Sequence, residues 1–156
     1  MKKIVFLLAA LLLTVSSFAQ NAKAIYDKYS DMKGVEAVYI SPAMFKMVGK
    51  LPDAEVGDKD MDFSKMVRNY RGLYVLEFSN RVKGQEMLSE VNKMIKKGKY
   101  ETLMEAKENG EVTRMYVEAK GSVCTSLVII SMEGSEIDFI CIDGDINMSE
   151  IRKMTN

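Results

Sequence analysis

Residues 99–142 read KYETLMEAKENGEVTRMYVEAKGSVCTSLVIISMEGSEIDFICI, and this stretch decides the fold. Runs rich in β-forming residues are separated by Asn109-Gly110, Lys120-Gly121 and Glu133-Gly134, which reads as four strands joined by tight turns. Asn-Gly is the preferred central pair of a type I′ hairpin turn. It sets Met104 opposite Met115, Thr102 opposite Val117 and, on the other face, Glu105 opposite Arg114. Treating the other two dipeptides as two-residue turns extends this register. One face then collects Tyr100, Thr102, Met104, Met115, Val117, Cys124, Val128, Ile130, Ile137, Phe139 and Cys141, and this is the expected core face.

The opposite face mixes Glu101, Glu105, Arg114 and Asp138 with Leu103, Tyr116, Leu127, Ile129, Ile140 and Ile142. An antiparallel sheet with one face in water alternates cleanly, and the last two strands do not. The second face is therefore expected to be covered, because large apolar patches rarely stay bare. Two coverings are open. The first or the final helix of the chain lies across it, or it meets a homodimer mate or another envelope protein. In the second case Tyr116, Leu127, Ile129, Ile140 and Ile142 are the apolar partner-binding contacts, with Arg114 and Glu105 at the rim.

Upstream, Ala22, Ile25, Tyr29 and Met32 recur at helical spacing until Gly34, and Val35 to Ile40 suits a strand. Ser41-Pro42 is an N-cap followed by proline at the first helical position, opening a short helix from Pro42 to Val48. Residues 50–61 are polar and read as a loop, and Asp62 caps a helix through Arg68. A strand follows from Leu73 to Phe78, then a helix from Gly84 to Lys97 with Met87, Leu88, Val91, Met94 and Ile95 on one face. Downstream, Asn147 and Glu150 form a capping arrangement for a last helix from Met148 to Met154. The expected fold class is α+β, in two layers. A largely antiparallel sheet of about six strands has a four-stranded C-terminal meander, with helices packed on one face.

At the other end of the chain, Lys2 and Lys3 precede the apolar run Ile4 to Val15 and the exit Ser17-Phe18-Ala19. That order is a cleavable secretory signal, so residues 1–19 are read as a signal peptide and 20–156 as a single domain. The protein is expected in the periplasm, on the outer surface or outside the cell. Gln20 follows the predicted cut with no cysteine nearby, so no lipid anchor is expected. No later apolar stretch approaches the roughly 20 residues of a transmembrane segment.

The chain has no histidine, which removes the usual serine and cysteine hydrolase triads and most zinc sites. The leader takes Lys2 and Lys3 and no acid, so the remainder is slightly acidic and gives no reason to bind nucleic acid. Asp58 to Asp62 and Asp143 to Asn147 resemble the start of a calcium loop. Both lack the glycine at position six and the glutamate at position twelve that complete one, so no metal is expected. The methionines are spread over separate elements as core filler rather than grouped for Cu(I). Cys124 and Cys141 share a face diagonally in the extended register, which favours two buried thiols over a disulfide. No catalytic residue and no cofactor is expected. The competing class is a carboxylate-based periplasmic hydrolase using the acids of 53–62, and a third is a purely structural envelope protein.

Tyr26 to Val35, Val38 to Met47, Lys99 to Met104, the turn Glu108 to Glu111, Gly144-Asp145-Ile146 and Glu150-Ile151 together resemble an exported Bacteroidetes family, domain of unknown function 4252. The resemblance covers nearly the whole chain after the leader. It implies a small α+β envelope protein without an established activity. It also implies a link to extracytoplasmic-function sigma factors and envelope stress sensing. The expected function, read from the second sheet face, is a non-catalytic binding or regulatory module.

Overall fold

A computed structural model describes residues 21–48, 69–147 and 149. The leader, the polar loop at 50–61, the helix expected at 62–68 and, Ser149 apart, the final helix lie outside these residues. Among the described residues the elements run α1 (Ala22–Tyr29), β1 (Val35–Ile40), α2 (Pro42–Val48), β2 (Tyr70–Phe78), α3 (Arg81–Lys97), β3 (Tyr100–Glu108), β4 (Glu111–Lys120), β5 (Val123–Glu133) and β6 (Glu136–Asn147). The strands form one open antiparallel sheet in the order β1-β2-β6-β5-β4-β3, so the fold is α+β and its last four strands are a meander.

Local chemistry places the helices. Asn21 caps α1 by accepting from the Ala24 amide at 2.9 Å. Asn80 accepts from the Val82 and Lys83 amides at 3.0 and 3.3 Å, which starts α3 at Arg81 rather than at Gly84. Gly84 has a different task. A Cβ there would meet Ile137 side-chain atoms at 3.0 Å, so its bareness lets α3 settle onto β6. Asn147 accepts from the Ser149 amide at 3.0 Å, while Glu150, the other half of the expected capping arrangement, lies outside the described residues.

At Asn109-Gly110 both residues have positive φ, 50° and 89°, as a type I′ turn requires. Glu105 faces Arg114 and Met104 faces Met115 as the turn dictates. Beyond Met104 the strand carries an extra residue, Leu103, and Thr102 faces Tyr116 instead of Val117. The other turns fall one residue later than the sequence suggests, on Gly121-Ser122 and Gly134-Ser135, since Lys120 faces Val123 and Glu133 faces Glu136. A one-residue displacement of a turn moves both strands together and keeps each side chain on its face. A bulge does not. Thr125 is an extra residue in β5 between Ser126 and Cys124, and it reverses the face of everything paired beyond it.

Facing residues share a face, so the register sorts the side chains. One face carries the row Tyr116–Val128–Cys141–Tyr74–Tyr39 and the row Arg114–Ile130–Phe139–Leu76–Ala37. It lies under α1 and α3, whose Ile25, Tyr29, Met87, Leu88, Val91 and Met94 complete the main buried cluster. Each such side chain, fully removed from water, stabilises by about 1.5–3 kcal/mol. Lys28 and Tyr29 of α1 both reach Glu90 of α3, tying the two helices together.

The opposite face carries Met104–Met115–Ile129–Ile140–Val75–Val38 and Val117–Leu127–Ile142–Leu73–Ile40. Met104, Met115, Val117 and Cys124 therefore leave the predicted core face for this one. Here α2 is the exception among the described helices. Its Phe45 meets Tyr70 edge-on at 5.2 Å and, with Cys124, Leu127, Val117 and Ile146, builds a second buried cluster. The two cysteines are free and buried, as expected, but they occupy opposite faces rather than one.

Candidate functional site

The register divides the predicted partner contacts. Leu127, Ile129, Ile140 and Ile142 lie on the second face, Leu127 at 5 % exposure and the three isoleucines half-buried. Tyr116 does not lie there. It packs against the main cluster on the helix-bearing face, because the Thr125 bulge turns β4 over. Arg114 and Glu105 turn with it, and they pair at 2.6 Å with Lys107 on the other Glu105 oxygen at 2.8 Å. Lys107 and then Arg114 hold the Glu105 carboxyl below its usual range. These three residues are not part of the second face, and α1 does not cover it.

The second face has a gradient across it. At one end α2 closes over Tyr70 and Ile146. The middle row of Met115, Ile129, Ile140 and Val75 is half-buried and ends in Val38 at 50 % exposure and Met104 at 39 %. Met44 and Met47 of α2 are exposed beside it at 45 % and 58 %. The next row is Glu36–Glu77–Asp138, three acids facing one another across β1, β2 and β6. Burial, then Glu77, Glu136 and Glu133, push the Asp138 carboxyl above its ordinary value. An apolar strip bordered by mutually repelling carboxylates is the result.

The sequence reading missed a cleft on the other face. It has a volume of about 650 Å³ and opens where the start of α1 and the end of α3 meet the ends of β2, β4, β5 and β6. The Tyr100 hydroxyl donates to Ser126 Oγ at 2.9 Å, Ser126 Oγ lies 3.5 Å from Cys141 Sγ, and Cys141 Sγ donates to Asp143 Oδ1 at 3.6 Å. Two signals in the sequence point there: Ser126 directly before the apolar run Leu127 to Ile130, and Cys141 with Asp143 at a spacing of two, on one face of β6. Tyr74 lines the same cleft, its ring stacked on Tyr39 at 5.2 Å and against Tyr26 at 5.8 Å.

Of the acidic runs, 58–62 lies outside the described residues, and with it the carboxylates of the hydrolase reading. In the second run Asp145 pairs with Arg71 at 2.9 Å. Gly144 is there for space, since a Cβ would meet Asn69 O at 2.6 Å and Tyr70 Cα at 2.7 Å. Among the described residues no three Cys, Asp or Glu side chains converge to hold a metal, and no helix is long and apolar enough to cross a membrane.

The family model for a domain of unknown function, DUF4252, matches residues 29–154. The chain belongs to this family. The match runs from the last residue of α1 through every strand of the sheet, so the DUF4252 unit includes the second face and most of the cleft lining, while Asn21 and Ala22 precede it. The DUF4252 description assigns no activity. No curated protein and no solved structure matches the chain.

Proposed function

We propose that this DUF4252 protein is an exported, non-catalytic binding module of the cell envelope. Its partner is a protein that presents an apolar strip flanked by basic side chains. The supporting observation is the second face: a half-exposed row from Val38 to Met104 set beside Glu36, Glu77 and Asp138, which repel one another across the strands. Apolar contact supplies affinity, while basic groups on the partner relieve the like-charge row and set orientation. A second copy of the chain would bring the same acids and no such relief. Export rests on the leader at 1–19.

The test uses a synthetic peptide of alternating leucine and lysine, with a leucine-glutamate peptide as control, titrated onto the protein and followed by fluorescence anisotropy. The basic peptide is expected to bind, the acidic one not, and the triple variant Glu36→Gln, Glu77→Gln, Asp138→Asn to bind at least about tenfold more weakly. Equal binding by the variant, or no binding, overturns the reading. So does a dimer that grows with concentration in light scattering, which assigns the face to a second copy.

A further inference from the structure

The geometry points to the cleft on the helix-bearing face as a second binding site, for a small zwitterionic amino compound such as a free amino acid or short peptide. Its ammonium group would meet Asp143, and its carboxylate Lys97 and Lys120.

The direction of the hydrogen bonds identifies the ligand's inner end. Tyr100 has one hydroxyl proton and gives it to Ser126, while the Cys141 thiol gives its proton to Asp143. The Ser126 proton is therefore the one left to join Ser126 to Cys141. Every proton in the chain points toward Asp143, whose carboxylate only accepts. Tyr100, its proton committed, offers only an oxygen lone pair. The inner end of the cleft is thus rich in acceptors and calls for a donor. Ser126 is 3 % exposed and Tyr74 5 %, so these groups are a built interior rather than a chance surface cluster. Burial first and Asp143 second raise the Tyr74 hydroxyl to about 12, so this phenol keeps its proton at neutral pH.

The mouth has the opposite character. Arg71 is engaged with Asp145, and the Lys99 amide donates to Glu118. Lys97 and Lys120, both exposed, form no ion pair among the described residues. A ligand with a cation at one end and an anion at the other matches an acceptor-rich interior behind a lysine-bearing mouth. Ala22 and Met94 supply apolar wall for the body between them, and the volume is that of ordinary small-molecule sites.

The experiment titrates the full exported chain with L-leucine and leucyl-leucine, and with two truncated analogues of leucine, isoamylamine and 4-methylpentanoate. Amide chemical shifts of Ser126, Asp143 and Lys97 are the readout. Saturable shifts with a zwitterion, weaker ones with isoamylamine and weakest with 4-methylpentanoate are expected. Asp143→Asn keeps an acceptor for the Cys141 thiol and removes the charge, so it should melt normally and bind at least about tenfold more weakly. Lys97→Gln with Lys120→Gln alters only exposed positions and should weaken the zwitterion without changing the amine. No saturable shift with either zwitterion overturns the proposal, as does 4-methylpentanoate binding as tightly as leucine. Indifference to both variants also overturns it. The leucine-lysine peptide bears on the opposite face, so failure here leaves the partner reading standing, and the reverse holds.

Discussion

Asp138 faces Glu77, which faces Glu36, and no basic side chain lies in that row. Its raised carboxyl means that the folded protein holds the proton more tightly than the unfolded chain. Stability therefore falls as pH rises through the window between the ordinary aspartate value and the raised one, and the deficit is complete above it. Asp138→Asn should stabilise by about 0.2–1 kcal/mol at neutral pH, with the gain shrinking as the pH drops below that window, measured by urea unfolding across a pH series. A gain that is constant with pH would exclude charge as its cause. Gly144→Ala drives a methyl group into the backbone of Asn69 and Tyr70, and about 1–3 kcal/mol of destabilisation is expected in the same assay. Gly110 has open space around it, so loss there should come from its turn conformation alone. The sequence shows such glycines but not their reasons. Gly84 resembles a helix start and acts as a contact with Ile137, because close approach is a property of the element opposite.

The elements themselves were largely legible. Asn-Gly turn chemistry, helical spacing and proline at a helix start are local signals, and β1, α2 and the β3–β4 turn follow them. The bulges at Leu103 and Thr125 were not legible, since neither carries a residue that demands one. Yet the Thr125 bulge decides which face β4 shows, and it moved Tyr116, Arg114 and Glu105 away from the predicted surface while leaving Leu127, Ile129, Ile140 and Ile142 there. This makes a sharp contrast within β5. Leu127→Ala empties a buried position beside Cys124 and Ile146 and should cost about 2–5 kcal/mol in denaturant unfolding. Ile129 is half-buried, and a lysine there can lay its stem along Met115 and Ile140 with its head in water. Ile129→Lys should cost less than Leu127→Ala and still abolish binding of the leucine-lysine peptide. If Ile129→Lys unfolds the protein instead, the middle row is core and not a docking surface.

At the scale of the molecule, one sheet separates two buried clusters of unequal size, the larger under α1 and α3 and the smaller under α2. Each holds one cysteine. With the sheet between them Cys124 and Cys141 cannot pair, so the protein should run identically on reducing and non-reducing gels even after exposure to oxidant. A shifted band would contradict the register. Burial raises both thiols, Cys141 the more strongly, which slows any reagent until the chain opens. The same separation makes the pair a built-in stopwatch for each half of the molecule. Alkylation of Cys141 times the lifting of α1 and α3, and alkylation of Cys124 times the release of α2. A single mass-resolved labelling course on the unmodified protein can therefore tell whether the two sides of the sheet let go together or in turn.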